Sequence, residues 1–121
     1  MQVNDVISTH ENLFIVGDQD FAEKVLQSPL PVIVDFWAAW CPPCRNLDPV
    51  YQQLSQQYAS KLRFARLDCD QHTQVPAHYR VQGMPTLIVF HNGREIARYI
   101  GPQPRRLQHL IDQTLAEHGC V

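Results

Sequence analysis

Two cysteines three positions apart, in Trp40-Cys41-Pro42-Pro43-Cys44, are the residues whose type and spacing declare chemistry. A C-x-x-C is either a redox couple or half of a zinc site. A structural zinc needs four ligands. Cys69 and Cys120 stand singly, and there is no second C-x-x-C and no H-x-H. The histidines (His10, His72, His78, His91, His109, His118) show no ligand spacing and read as surface residues. Haem attachment fails because Arg45, not His, follows Cys44. The pair therefore reads as a dithiol–disulfide couple, with no metal and no separate cofactor.

The elements around the pair must make it reactive. Pro31-Val32-Ile33-Val34-Asp35-Phe36-Trp37 reads as a buried strand, and Leu47, Val50, Tyr51, Leu54 and Tyr58 fall on one face of a following helix. The cysteines thus sit where a strand ends and a helix begins. The first N–H groups of a helix lack internal partners and carry partial positive charge. A thiolate is stabilised there, so its pKa falls. Pro43 suits the first helical position, where a missing N–H costs nothing, and it disfavours helical backbone at Pro42. The N–H groups of Cys44 and Arg45 are then expected to face Cys41. Cys41 lies outside the helix, reachable, and should attack. Cys44 lies in the first turn, shielded, and should resolve. Pro49, within the helix, should kink it.

Other candidates read more plainly. Asp35, between Val34 and Phe36 in an apolar strand, is expected to be buried, and a buried acid needs a reason. Cys69, in Asp68-Cys69-Asp70, is a small residue at a strand end whose acidic neighbours raise its pKa. Cys120 reads as a mobile free thiol. Trp37 reads as packing and Trp40 as contact surface. Arg94, Arg98, Arg105 and Arg106 make the C-terminal region basic, by default a solvated face.

The 121 residues suffice for one core, and 45% hydrophobic with 18% charged residues is ordinary globular composition. A net charge of −2 gives no reason to expect nucleic acid or an anionic membrane. No apolar run approaches the roughly 18 residues of a spanning helix. Met1-Gln2-Val3-Asn4-Asp5 shows no leader pattern, so a cytoplasmic, reducing location is expected. Residues 1–11 read as a flexible extension and 12–121 as one domain. Within it, Leu13 to Val16 is a strand. Asp18 or Asp20 should cap a helix bearing Phe21, Ala22, Val25 and Leu26, with Glu23 completing a box after Asp20. Leu62 to Leu67 is a strand, and Thr73 to Tyr79 a short helix. Thr86 to Phe90 and Glu95 to Ile100 form a hairpin through Asn92-Gly93. A last helix buries Leu107, Leu110, Ile111 and Leu115. The order β-α-β-α-β-α-β-β-α implies an α/β fold: a mixed five-stranded sheet with helices on both faces.

With these residues laid out, the chain resembles the thioredoxin family. The matching pieces are Val34-Asp35-Phe36-Trp37-Ala38-Ala39-Trp40-Cys41, Pro43-Cys44, Pro49, Met84-Pro85-Thr86, Asn92-Gly93 and Gly101, in the family's order and spacing. The resemblance implies a cis Pro85 opposite the dithiol and a Met84 backbone that pairs with the substrate chain. It implies an apolar surface of Trp40, Gly83, Met84, Pro85 and Gly101 around Cys41. It also implies that Asp35 lies behind Cys44 and helps deprotonate it. Two departures stand out. Pro42 replaces the usual glycine, stiffens the loop and should shift the reduction potential. Arg66 stands where a lysine is usual near the buried carboxylate. Arginine keeps its proton, so Asp35 should be more ionised here than beside a neutral lysine.

The expected activity is reduction of protein disulfides by a monomer, with disulfide-containing proteins as substrates and a thioredoxin reductase as electron donor. Two alternatives stay open: a thiol oxidoreductase of an oxidising or specialised pathway, and a binding or folding-factor subunit that keeps the fold without the redox role.

Overall fold

The computed structural model describes residues 12–120. The expected flexible segment 1–11 lies outside the described residues. Strands β1 (Leu13–Ile15), β2 (Val32–Trp37), β3 (Arg63–Asp68), β4 (Thr86–His91) and β5 (Arg94–Ile100) form one sheet in the order β1-β3-β2-β4-β5. β1 and β2 run parallel to β3, and β4 runs antiparallel to both β2 and β5. Helices α1 (Pro42–Gln57), α2 (Gln74–His78) and α3 (Leu107–Glu117) complete the architecture, with a π-type turn at Ala22–Leu26 and a 3-10 turn at Pro104–Arg106. The sheet is the mixed five-stranded one expected.

β2 is central and buried on both faces, as its near-continuous apolar run requires. Its alternation divides the core. Ile33 joins Phe64, Leu87, Leu47, Tyr51, Leu54 and the α3 residues Leu107, Ile111 and Leu115 on one face. Val32, Val34 and Phe36 join Ala65, Leu67, Ile88, Phe90, Phe21 and Val25 on the other. Fully buried Phe36, Phe64 and Phe90 each contribute about 1.5–3 kcal/mol by removal from water. The same period-two alternation that aims Ile33 at α1 aims Asp35 there too. The strand thus carries a carboxyl group into the protein on the α1 side. Tyr51 of α1 fixes the helix to the sheet from this side: its hydroxyl donates to the backbone carbonyls of Ile33 (3.1 Å) and Ala65 (2.7 Å).

At the β4–β5 turn Asn92 and Gly93 both have positive φ, +56° and +79°, the backbone that a two-residue hairpin with primed turn geometry needs. α1 passes through Pro49 without a break.

Several local expectations change. Neither Asp18 nor Asp20 caps the turn at Ala22–Leu26. Its N-terminal residue is Phe21, with no side-chain cap, and Glu23 completes no box. Asp18 instead accepts the N–H groups of Gln74 (3.1 Å) and Val75 (2.8 Å), so it caps α2 across the fold. Asp20 turns back to accept the Gly17 N–H (2.8 Å) and pairs with Lys24 (2.9 Å). His72 is no bystander on the surface. Its ring lies on Gly17, where a Cβ would come within 2.3 Å of it, and its Nδ1 accepts the Asp18 N–H (3.2 Å). Cys120 is held rather than mobile. Its N–H donates to Leu115 O (2.8 Å), its side chain packs on the α1 side of the core, and its sulfur lies 3.5 Å from His91 Nδ1. In the basic C-terminal region Arg98 is already engaged, with Glu95 (2.8 Å) and with Tyr79 O (2.7 Å).

Candidate active site

In an open α/β sheet, ligand sites form beyond the carboxyl ends of the parallel strands. β2 ends there at Trp37, and Ala38 to Trp40 lead into α1. The helix starts one residue earlier than expected, at Pro42, with Cys41 as its N-cap in extended backbone (φ −98°, ψ 107°). Pro42 and Pro43 therefore occupy the first two helical positions. Neither needs an N–H there, and a doubled proline fits.

Cys41 and Cys44 are joined as a disulfide, their Cα atoms 5.3 Å apart. The Cys44 N–H donates to Cys41 Sγ at 3.2 Å, as expected of a cap. The Arg45 N–H does not join it; it bonds the Cys41 backbone carbonyl (3.3 Å) as the first ordinary helical bond. The expected contrast in exposure is absent from the bonded pair: Cys41 is 2% exposed and Cys44 4%. With the sulfurs joined, Cys41 Sγ is turned inward, 3.5 Å from the Met84 carbonyl oxygen, and Met84 and Trp37 pack against the pair. What separates the two cysteines is their company. Cys41 meets the Met84 loop, and Cys44 lines a cavity shared with Asp35.

The Met84–Pro85 peptide bond is cis, as the resemblance implied. Pro85 is buried, and its carbonyl accepts the Gly101 N–H (2.9 Å) at a backbone φ of +56° that suits glycine. Thr86 Oγ1 donates to Gly83 O (2.6 Å) and pins the loop from its other side. A Cβ at Gly83 would meet nothing within 4 Å, so its backbone faces open space. Trp40 is 64% exposed, with its indole N–H on Asp70 Oδ1 (3.1 Å). The structure thus gathers Met84, Trp37 and the dithiol and links Gly101 to Pro85, while Trp40 precedes Cys41 in the chain and its indole reaches Asp70. The sequence reading missed Ile100, 70% exposed and in register with Thr86 at the same edge. The signal lay in β5. Tyr99 belongs to the core, so its neighbours Arg98 and Ile100 must face away.

Behind Cys44 lies a cavity of about 340 Å³ lined by Asp35, Trp37, Ala39, Cys44, Arg45, Asp48 and Arg66. Asp35 is 2% exposed, and its Oδ1 has no hydrogen-bond partner. Burial pushes its pKa up to about 7, while the Arg66 charge pulls the other way. Arg66 faces it in register across β2 and β3. The guanidinium is ion-paired with Asp48 of α1, a residue the sequence reading also missed. Asp48 follows Cys44 by one helical turn, and that spacing could have found it.

Among the described residues no group of three or more His, Cys, Asp or Glu could hold a metal ion, and no helix is long and apolar enough to cross a membrane.

The sequence profile of the thioredoxin family matches residues 12–113. Thioredoxin 1 of Nostoc sp. is 38% identical over 103 residues, covering 85% of this chain and 94% of that protein. Thioredoxin of Synechocystis sp. is 41% identical over 90 residues, covering 74% and 84%. The crystal structure of Malassezia sympodialis thioredoxin (Mala s 13) superposes with a TM-score of 0.77 at 31% identity, covering 84% of this chain and 90% of that one. Profile, relatives and fold agree over most of the chain, which belongs to the thioredoxin family of protein-disulfide reductases.

Proposed function

We propose that Cys41 is the attacking sulfur and Cys44 the resolving one. The observation that carries this is the Cys44 N–H on Cys41 Sγ at the head of α1. In the reduced protein that donor and the helix terminus favour a Cys41 thiolate. The thiolate attacks one sulfur of a substrate disulfide and expels the other as a thiolate. Cys44, deprotonated, then attacks Cys41 Sγ, releases the substrate's second thiol and closes the Cys41–Cys44 disulfide. Two electrons pass from the dithiol to the substrate.

Asp35 takes the Cys44 proton in the second step. An acid that titrates near 7 is matched to a proton exchange at neutral pH. The cavity between them is roomy and polar enough to carry water as a relay. Trp40, Gly83, Met84, Pro85 and Gly101, with Ile100, form the docking surface, and an extended substrate segment lies along the Met84 backbone. Pro42, Pro43 and Arg66 modulate the couple. The substrates are disulfide-containing proteins, no cofactor beyond the dithiol takes part, and a thioredoxin reductase returns the electrons in the cytoplasm. Kinship with bacterial thioredoxins supports that setting.

Insulin reduction tests the assignment. Cys41→Ser should be inactive, and Cys44→Ser should accumulate mixed disulfides with substrate. Full activity in Cys41→Ser would end the proposal. The doubled proline supports one second reading, a couple tuned for a specialised or oxidising pathway. A reduction potential well above the cytosolic glutathione poise would favour it.

A further inference from the structure

Asp35 Oδ1 is buried without a donor, although an arginine stands in register beside it on the next strand and faces the same side of the sheet. A guanidinium remains charged in proteins. The Arg66 side chain, 4% exposed, therefore needs an acid close by. Two acids line the cavity, Asp35 from β2 and Asp48 from α1. Arg66 takes Asp48, whose side chain is 29% exposed at the rim and whose Oδ2 is also steadied by Gln52 Nε2 (2.8 Å). The cavity's other cation, Arg45, is turned to the Ala39 carbonyl (2.8 Å).

We propose that Asp48 is a positioning residue: by holding the Arg66 guanidinium toward α1, it leaves Asp35 open to take and return a proton. The inference rests on the reading of Asp35 as the proton acceptor for Cys44. The groups around Asp35 set the alternatives. β3 brings Arg66, and Cys69 follows at its end. α1 brings Cys44, Arg45, Asp48 and Tyr51, the last committed to two backbone carbonyls. β4 places Leu87 in register opposite and supplies no charge. If Asp48 loses its charge, Asp35 is the one remaining carboxylate among the cavity residues. Arg66 then turns to it, and the pair locks Asp35 in its ionised form.

The test is a carboxyl-carbon NMR titration of Asp35 in the oxidised protein. Asp48→Asn should lower the titration midpoint by about one pH unit or more, within the range of a carboxylate gaining a direct arginine partner. Asp48→Glu should restore it. The same substitution in an Arg66→Met background separates positioning from a direct field effect. The Asp48→Asn shift should then shrink to a small fraction of its size. An unchanged midpoint in folded Asp48→Asn, or an equal fall with and without Arg66, overturns the proposal. The pH profile for resolving a trapped mixed disulfide should move with the midpoint. Failure of the underlying reading shows up separately: Asp35→Asn would then resolve the mixed disulfide at the wild-type rate, whatever the titration gives.

Discussion

Cys41 and Cys69 both lie past the end of a strand, β2 and β3, and the Cys69 N–H donates to the carbonyl of Trp37 (2.9 Å), the last residue of β2. Their surroundings are opposite in sign. The Cys41–Cys44 pair caps a helix, where an N–H points at sulfur. Cys69 is half-buried, its sulfur 3.9 Å from the Leu67 carbonyl oxygen. Burial first, then the charges of Asp68, Asp35 and Asp70, push its thiol up to about 12. Residue type is the same in both places. What differs is whether backbone dipoles and neighbouring charges welcome or refuse a sulfur anion.

The largest effect that could break this comparison is functional. Cys41→Ser removes the proposed nucleophile and should lower insulin reduction by more than about a thousandfold. Cys69→Ser should leave the rate within about twofold. Equal losses in both would mean that the sulfurs work together, and the contrast would fail.

Asp35 belongs to both regions, since it lines the Cys44 cavity and raises Cys69. Its folded pKa of about 7 lies above the ordinary 3.8, so the folded protein holds this proton more tightly than the unfolded chain. Stability should therefore fall as pH rises from about 4 to 7, then level off. Asp35→Asn should remove that loss. It should gain up to about 4 kcal/mol at pH 8 and nothing below the ordinary carboxylate value, measured by denaturant unfolding of the oxidised protein. A pH-independent gain would trace it to packing instead. A price in activity should accompany the gain, as slower resolution of the mixed disulfide by about tenfold or more.

The parts of the site set by local rules were readable in the chain. The prolines and the apolar spacing of Leu47, Tyr51 and Leu54 placed the helix start within one residue, and alternation in β2 placed Asp35 inside. The misplaced parts are those fixed from a distance. Asp18 sits in a good local capping position, but its carboxylate serves backbone 56 and 57 residues away, because β1 delivers it to the start of α2. Cys120 looked like a loose end, but it packs on the core beside His91, 29 residues back. Asp48 went unread in the sequence: its one-turn spacing from Cys44 marks it as a neighbour of the site, but only the pairing of β3 with β2 brings Arg66 against it. The exposure of Cys41 was misjudged for another reason. The reading described a free thiol, and the bonded sulfur turns toward Met84.

Alkylation gives a sharper and smaller version of the thiol comparison. With the dithiol oxidised, only Cys69 and Cys120 are free. At pH 7.5 a thiol near 12 has a far smaller anion fraction than an ordinary one near about 8.5. Its stronger intrinsic nucleophilicity recovers only part of the difference. Cys69 should react with iodoacetamide about a hundredfold more slowly than an unhindered cysteine, followed by mass spectrometry of the labelled peptide. Denaturation should abolish the difference. Comparable rates in the folded protein would show that the acids around Cys69 do not govern it.

The smallest effect concerns Asp70, which touches both sides of the comparison. Its charge helps raise Cys69, and its Oδ1 accepts the Trp40 indole N–H (3.1 Å). That bond is solvent-exposed, so its net worth is at most about 1 kcal/mol. It holds an exposed indole that belongs to the proposed docking surface. Asp70→Ala should therefore raise KM for a protein substrate about two- to fivefold and leave kcat unchanged. Trp40→Phe removes the donor and keeps most of the apolar face, so it should give a similar change. The double variant should be no worse than either single one, because both delete the same bond. Additive losses would separate the two residues. A fall in kcat would recast Asp70 as a charge felt by the dithiol, and the boundary between the two thiol environments would then run through this residue.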